Sequence, residues 1–172
     1  LVADGASVLI ATATGFEPSL DDTYIIGSAS KKYNTIYATT FSGTATQARY
    51  ADLAENYTAD AVYEPGTVVI FGGDEEVSVT KVRGDNRVAG IVSENPAYLM
   101  NSNQEGTNVT PIALQGRIKV KVVGMVRKGQ MLVTSSTEGF ASASTNPEIG
   151  TVIGKALEDK NSGDEGIIEI VV

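Results

Sequence analysis

The chain has 172 residues, 42% of them apolar, enough for a real core in one medium domain or in a small domain with an extended arm. Thirteen basic against twenty-one acidic residues give a formal charge of −8, which repels phosphate backbones and anionic lipid and argues against nucleic acid as a partner. Without cysteine or histidine there is no disulfide framework, thiolate nucleophile or Cys-type zinc site, and the usual general base is missing, so any chemistry falls to carboxylates, hydroxyls, Lys, Tyr or the backbone.

No run approaches the roughly eighteen apolar residues of a membrane span, and the opening residues lack a charged n-region, so neither membrane insertion nor a secretion signal is expected. The start reads as the middle of a pattern, as if cut from a longer protein. Residues Ala6 to Thr14 (ASVLIATAT) and Thr23 to Ile26 (TYII) are expected to be short strands, separated by the turn-rich GFEPSLDD. Their apolar faces are small. A strand pair with so little to bury is marginal alone in water and is expected to pack against copies of itself or a preceding domain.

The stretch Tyr33 to Glu55 (YNTIYATTFSGTATQARYADLAE) is the junction between this arm, residues 1–47, and a head, residues 48–172. Ile36 to Ser42 has the period-two spacing of a strand that Gly43 ends, and Ala48, Ala51, Leu53 and Ala54 suit one or two helical turns or an irregular ascent into the head. Strand-like runs then follow at Thr67 to Phe71, Glu76 to Val82, Arg87 to Val92, Asn108 to Leu114 and Arg117 to Val126. Further runs lie at Gly129 to Thr134, Phe140 to Ser142, Thr151 to Leu157 and Ile167 to Val172. Gly-, Pro- and Asn-containing turns separate nearly all of them, which predicts an all-β head, a sandwich or small rolled barrel. In the last run only Glu169 is polar, a pattern that predicts a central strand covered on both faces.

Asp52 and Glu55 are the candidate catalytic carboxylates. On a helical turn they would lie close enough to shift apart in pKa, one as acid and one as base, although the same spacing also reads as a plain helix start. Glu64, Asp60, Asp74, Glu75 and Glu76 are lesser candidates. Gly72-Gly73-Asp74 matches no phosphate-loop pattern and reads as a hairpin turn. Asp4, Asp21 and Asp22 make no calcium loop, and no spacing names a cofactor or a metal. Arg127, Lys128, Lys119 and Lys121 read either as solvent-facing charges on strands or as a contact for an anionic sugar, the former being favoured. Tyr24, Tyr33, Tyr37, Tyr50, Tyr57, Tyr63 and Tyr98 suit either strand packing or a sugar-stacking surface, the latter made weaker by the lack of tryptophan. Asn101 to Asn108 (NSNQEGTN) is the most polar loop, either a receptor contact or a solvated connection.

The run IIGSASKKYNTIYATTFSGTA, ending at Ala45, resembles the repeat near the ends of bacteriophage tail fibres. YADLAENYTADAVYEPGTVVIFGG and DNRVAGIVSENPAYLMNS resemble the C-terminal intramolecular-chaperone, or peptidase G2, domain of phage fibre and neck-appendage proteins. The resemblance implies a homotrimeric virion structural protein whose head registers three chains, with other virion tail proteins and a host-surface glycan or protein as partners. In self-cleaving members the break precedes an Asp with a Glu three residues on, which here is the Ala51–Asp52 bond with Glu55 as the catalytic carboxyl. Ala51 stands where those members can carry a serine, a departure from the self-cleaving pattern. The leading expectation is therefore a structural appendage protein, the alternative a self-processing peptidase. A glycan-cleaving depolymerase, with two carboxylates facing across a groove, is a third.

Overall fold

The computed structural model describes residues 2–3, 6–7, 9–11, 13, 15–20, 23, 25–34 and 52–172. The chain divides into two compact units, residues 1–44 and 45–172. In the first, β1 (Val2–Ala3) pairs with β2 (Ala6–Ser7), and β3 (Leu9–Ala11) with β4 (Phe16–Pro18), both antiparallel. The partner of the first expected strand is thus Phe16–Pro18, inside the stretch expected to be a turn, and Thr23, Ile25 and Ile26 are not in a strand. Pro18 fits because it ends a two-stranded ribbon, where its missing N–H costs no ladder bond. Gly27, at φ +84°, opens a tight turn closed by Ser28 N donating to Lys31 O at 2.8 Å. The strand expected at Ile36 to Ser42 lies outside the described residues, as do Ala48 to Ala51.

The second unit is built on one long strand. In chain order its elements are β5 (Asp52–Tyr57), β6 (Val68–Phe71), β7 (Val77–Ser78), β8 (Val88–Val92), β9 (Tyr98–Met100) and β10 (Thr110–Val123). They continue with β11 (Met131–Thr134), β12 (Ala141–Ser144), β13 (Val152–Ala156) and β14 (Glu165–Val171). The first half of β10 pairs antiparallel with β5 and β8, extending through β6 to β7 on one side and to β9 on the other. Its second half pairs antiparallel with β14 from Arg117↔Val171 to Val123↔Glu165. The path β10–β14–β13–β11–β12 returns to β10 through the parallel pair Val122↔Ala141, closing a five-stranded barrel. The head is all-β, as expected.

Two expected strands, Asn108 to Leu114 and Arg117 to Val126, are one. A bulge between Ala113 and Gln115 and Gly116 at φ +111° turn the strand without ending it, so the glycine marks a change of partner rather than a reversal. Asp52, the first residue of β5, lies opposite Gly116, and Val172 takes over there, its N–H donating to Gly116 O at 2.8 Å.

Packing follows the two-residue period. Val68 and Ile91 join Val120, Val122, Val126, Leu132, Ile153, Ile168 and Ile170 in the larger core, while their neighbours Val69 and Val92 join Ala59, Val77 and Ile112 in a second core. The run Val68-Val69-Ile70 is apolar throughout because both faces of β6 are covered. Each such side chain contributes about 1.5–3 kcal/mol of burial. The final strand differs from its expectation: it is central, between β13 and β10, but Ile168 and Ile170 are buried while Ile167 and Val171 are exposed. Among the described residues, only one of its faces is covered.

The expected strand Glu76 to Val82 stops at Ser78 because the chain then leaves to join sheet to barrel. Asp85, buried, accepts Arg87 Nε at 3.0 Å and Nη2 at 2.7 Å, and Thr80 Oγ1 at 3.0 Å. Its own N–H donates to Thr134 Oγ1 on β11 at 2.7 Å, and Arg83 donates to Ser142 Oγ and to Ala143 O, the latter at 2.7 Å. The Arg87 guanidinium outweighs the opposing effect of burial and holds the Asp85 carboxyl well below the usual carboxylate range.

Two glycines let strands approach closely: a Cβ on Gly90 would lie 2.4 Å from Ala113 O, and one on Gly154 2.3 Å from Val171 O. Gly90→Ala and Gly154→Ala should each lower stability by about 1–3 kcal/mol, read from urea midpoints, whereas Gly163→Ala, with open space around it, should change it by only about half a kcal/mol at most. Because the Asp85 pKa is depressed in the folded state, its contribution is complete at neutral pH. It is lost progressively as pH falls below the unfolded value of about 4. Asp85→Asn should cost about 3 kcal/mol at pH 7 and flatten the acid limb of a stability–pH curve; an unchanged limb would refute that role.

Candidate functional site

Asp52 and Glu55 both lie on β5, a strand and not the helical turn that the Ala-Leu-Ala-Glu composition suggests. Pairing on both sides, with β10 and with β9, overrides that local preference. Three residues apart on a strand, the two carboxylates fall on opposite faces. Asp52 shares the buried face with Ala54 and Asn56; Glu55 shares the half-buried face with Leu53 and Tyr57. The close carboxyl pair expected on a helix is therefore absent, and neither residue caps a helix.

Asp52 is 7% exposed, and Ser93 Oγ, just past β8, donates to its Oδ2 at 2.6 Å. Its carbonyl accepts the N–H of Ala97 at 2.9 Å. The pair sits in a groove of ≈ 850 Å³ that Arg117, Lys119, Glu94 and Glu169 also line. Ser93 was not legible as a partner, because it lies 41 residues from Asp52 and only the pairing of β5 and β8 with β10 brings them together. On the other face Glu55 Oε2 accepts Tyr57 OH at 2.8 Å. Burial first, then that bond to Glu55, pushes the Tyr57 hydroxyl up to about 12, so it remains a donor. Tyr57 also stacks edge-on against Phe71, centroids 5.6 Å apart.

The lesser carboxylates are dispersed. Glu76 Oε2 accepts Thr58 N at 2.8 Å, and Glu64 Oε2 accepts Lys121 Nζ at 2.8 Å, which holds the Glu64 carboxyl below its usual value. Asp60 accepts Tyr63 OH; burial acts against its ionised form, but bonds from Tyr63, Ser78 and backbone N–H groups outweigh it and lower its pKa. Asp74 and Glu75 are exposed. The Asn101–Asn108 loop is tied at both ends: Asn101 and Asn56 exchange side-chain-to-carbonyl bonds at 3.2 Å, and Asn108 Nδ2 donates to Ala59 O at 3.3 Å. Both asparagines take the left-handed conformation, at φ +52° and +53°. Asp4, Asp21, Asp22, Tyr24, Tyr37 and Tyr50 lie outside the described residues.

A closed five-stranded barrel sharing one strand with a second sheet defines the head as an all-β unit of mixed barrel and sheet. No family model and no curated protein matches the chain. Among solved structures it is similar in fold to the pre-mature bacteriophage phi29 gene product 12, with a TM-score of 0.56 at 13% identity. The match covers 77% of this chain and 23% of that one, so the chain spans less than a quarter of its neighbour's length.

Proposed function

We propose that the chain is the C-terminal part of a homotrimeric bacteriophage tail fibre or related appendage, located in the virion, whose head aligns three arms during assembly and contributes to host attachment. The fold likeness to a phage gene product supports the class. The observation that carries the trimer is the contrast between the units. The head buries two apolar cores, whereas in the arm Phe16 is 75% exposed, Ile25 and Ile26 each 83%, and Leu20 and Tyr33 are also exposed. Side chains of that size in so short a segment call for cover, and sister arms around a shared axis supply it. A compact head that folds first would bring the arms into register before slow non-local pairing begins.

A second reading, self-cleavage between Ala51 and Asp52, is favoured by one observation: the carboxyl of Asp52, next to that bond, is buried and held by Ser93 at the edge of a groove. Glu55, the carboxyl expected to act, lies on the other face of the strand.

Native mass spectrometry at micromolar concentration should give a species of three times the 18.0 kDa of one chain. Ile25→Asp combined with Ile26→Asp should shift it towards monomer while leaving the head's β-sheet circular dichroism intact; a wild-type monomer would overturn the assembly role. Intact mass after long incubation tests the second reading. Self-cleavage predicts a fragment beginning at Asp52 that Glu55→Gln and Ser93→Ala each slow, and a chain that stays whole removes it.

A further inference from the structure

Apart from the Asp52 groove, a second groove of ≈ 540 Å³ runs between the Ala61–Thr67 connection and the turn at Glu138–Phe140. We propose that this groove is a binding site for a neutral saccharide. The proposal rests on the attachment part of the proposed function and gives it a place on the head.

Val68 N donates to Gly139 O at 2.9 Å, tying the two walls together, and Thr67 N donates to Glu64 O at 3.2 Å within the first wall. Gly139, at φ +76°, comes so near Thr67 that a Cβ would lie 2.9 Å from its Cγ2. Tyr63 is part of the lining and also packs against the Val69–Val77 cluster. Its hydroxyl donates to Asp60, which fixes the ring edge and leaves the ring body as a wall. Phe140 adds a second ring. Around these lie two ion pairs: Glu64 with Lys121 at 2.8 Å, and Glu138 with Lys81 at 3.5 Å.

That chemistry selects among ligands. Each lysine is matched by a glutamate, so the site has no excess positive charge for a phosphate or an acidic sugar, and the overall charge of −8 opposes anions further. A purely apolar ligand would strip water from the lining charges of Glu64, Lys121 and Glu138 without replacing its hydrogen bonds. A neutral sugar satisfies both requirements. Its C–H face covers an aromatic ring, its hydroxyls donate to carboxylates and accept from ammonium groups, and the volume lies in the range of small-molecule sites, roughly 300–1,000 Å³. Lys121 keeps Glu64 ionised, an acceptor without a proton to give, which suits holding a glycan rather than cleaving it.

The test is ¹H–¹⁵N chemical-shift titration of the full chain with the methyl glycosides of glucose, galactose, mannose, rhamnose and N-acetylglucosamine, alongside glucuronate and inorganic phosphate. At least one methyl glycoside should shift the amides of Tyr63, Glu64, Gly139 and Phe140 with a Kd on the order of 1–10 mM. Tyr63→Ala should weaken it about tenfold or more. Should that variant fail to fold, Glu138→Gln at the exposed rim should weaken it severalfold, with Glu158→Gln, outside the groove, unchanged. No shift at the groove with any methyl glycoside, or shifts there only with glucuronate or phosphate, would overturn the site. Retention of labelled chain on bacterial cells separates the two ideas: groove shifts without retention uphold the site and remove the attachment role, and retention without groove shifts does the reverse.

Discussion

The head depends on β10 serving as a wall of two structures at once. Its first residues are held by β5 and β8, its last by β14 and β12, and only the bulge near Leu114 and the left-handed φ of Gly116 let one continuous strand follow both curvatures. A residue with a Cβ at Gly116 would work against that turn. Val172 and the first residue of β5 meet β10 at the same glycine. Everything placed along β10 inherits that precision: the Asp52–Ser93 pair lies beside the change of partner, and Lys121, five residues on, reaches the ion pair with Glu64.

Sharing a strand creates an apolar problem and a polar one. The apolar problem is solved by alternation. Adjacent residues of β6 and β8 point into different cores, so the sheet is covered on one side by the barrel's own interior and on the other by the Tyr57, Tyr63 and Val79 layer. The polar problem is the seam between sheet and barrel, where backbone groups leave regular pairing. There the Thr80–Arg87 segment supplies a buried carboxylate with four donors, from Thr80, the Arg87 main chain and two nitrogens of its guanidinium. A buried charge is tolerable only with that degree of satisfaction. Arg83 extends the seam to β12.

Most of the head was legible because its strands are β-branched runs punctuated by glycine, a local signal that agrees with the global fold. The misses are equally physical. β5 reads as helix because the Asp-Leu-Ala-Glu composition at its start carries no strand preference; it is a strand because two neighbours pair with it. β9, only Tyr98–Met100, is too short to show a period. Gln115-Gly116 looks like a turn, since a positive φ serves reversal and twist alike, and only the partners tell which. In the arm, Phe16–Pro18 hid inside a turn-rich segment because proline is admissible at a ribbon's end. Of the candidate site, Asp52 and Glu55 could be named from their spacing, but which face each occupies depended on helix versus strand. Ser93 could not be named at all, since long-range pairing leaves no trace in local order.

The two units stand in different relations to water, and that difference bears on assembly more directly than any single residue. In the head, large side chains such as Ile91, Ile112, Leu132 and Ile170 are wholly buried, and the sheet closes on itself, which removes much of the unpaired strand edge that invites unwanted association. Among the described residues of the arm, two- and three-residue strands pair in two ribbons, and Ile10, Phe16, Leu20, Ile25, Ile26 and Tyr33 are exposed. Ribbons of that size do not supply their own stability. In the assembly proposed above, that contrast gives an order of events: the β unit with its own cores folds first, and the arm is covered when several copies are held together.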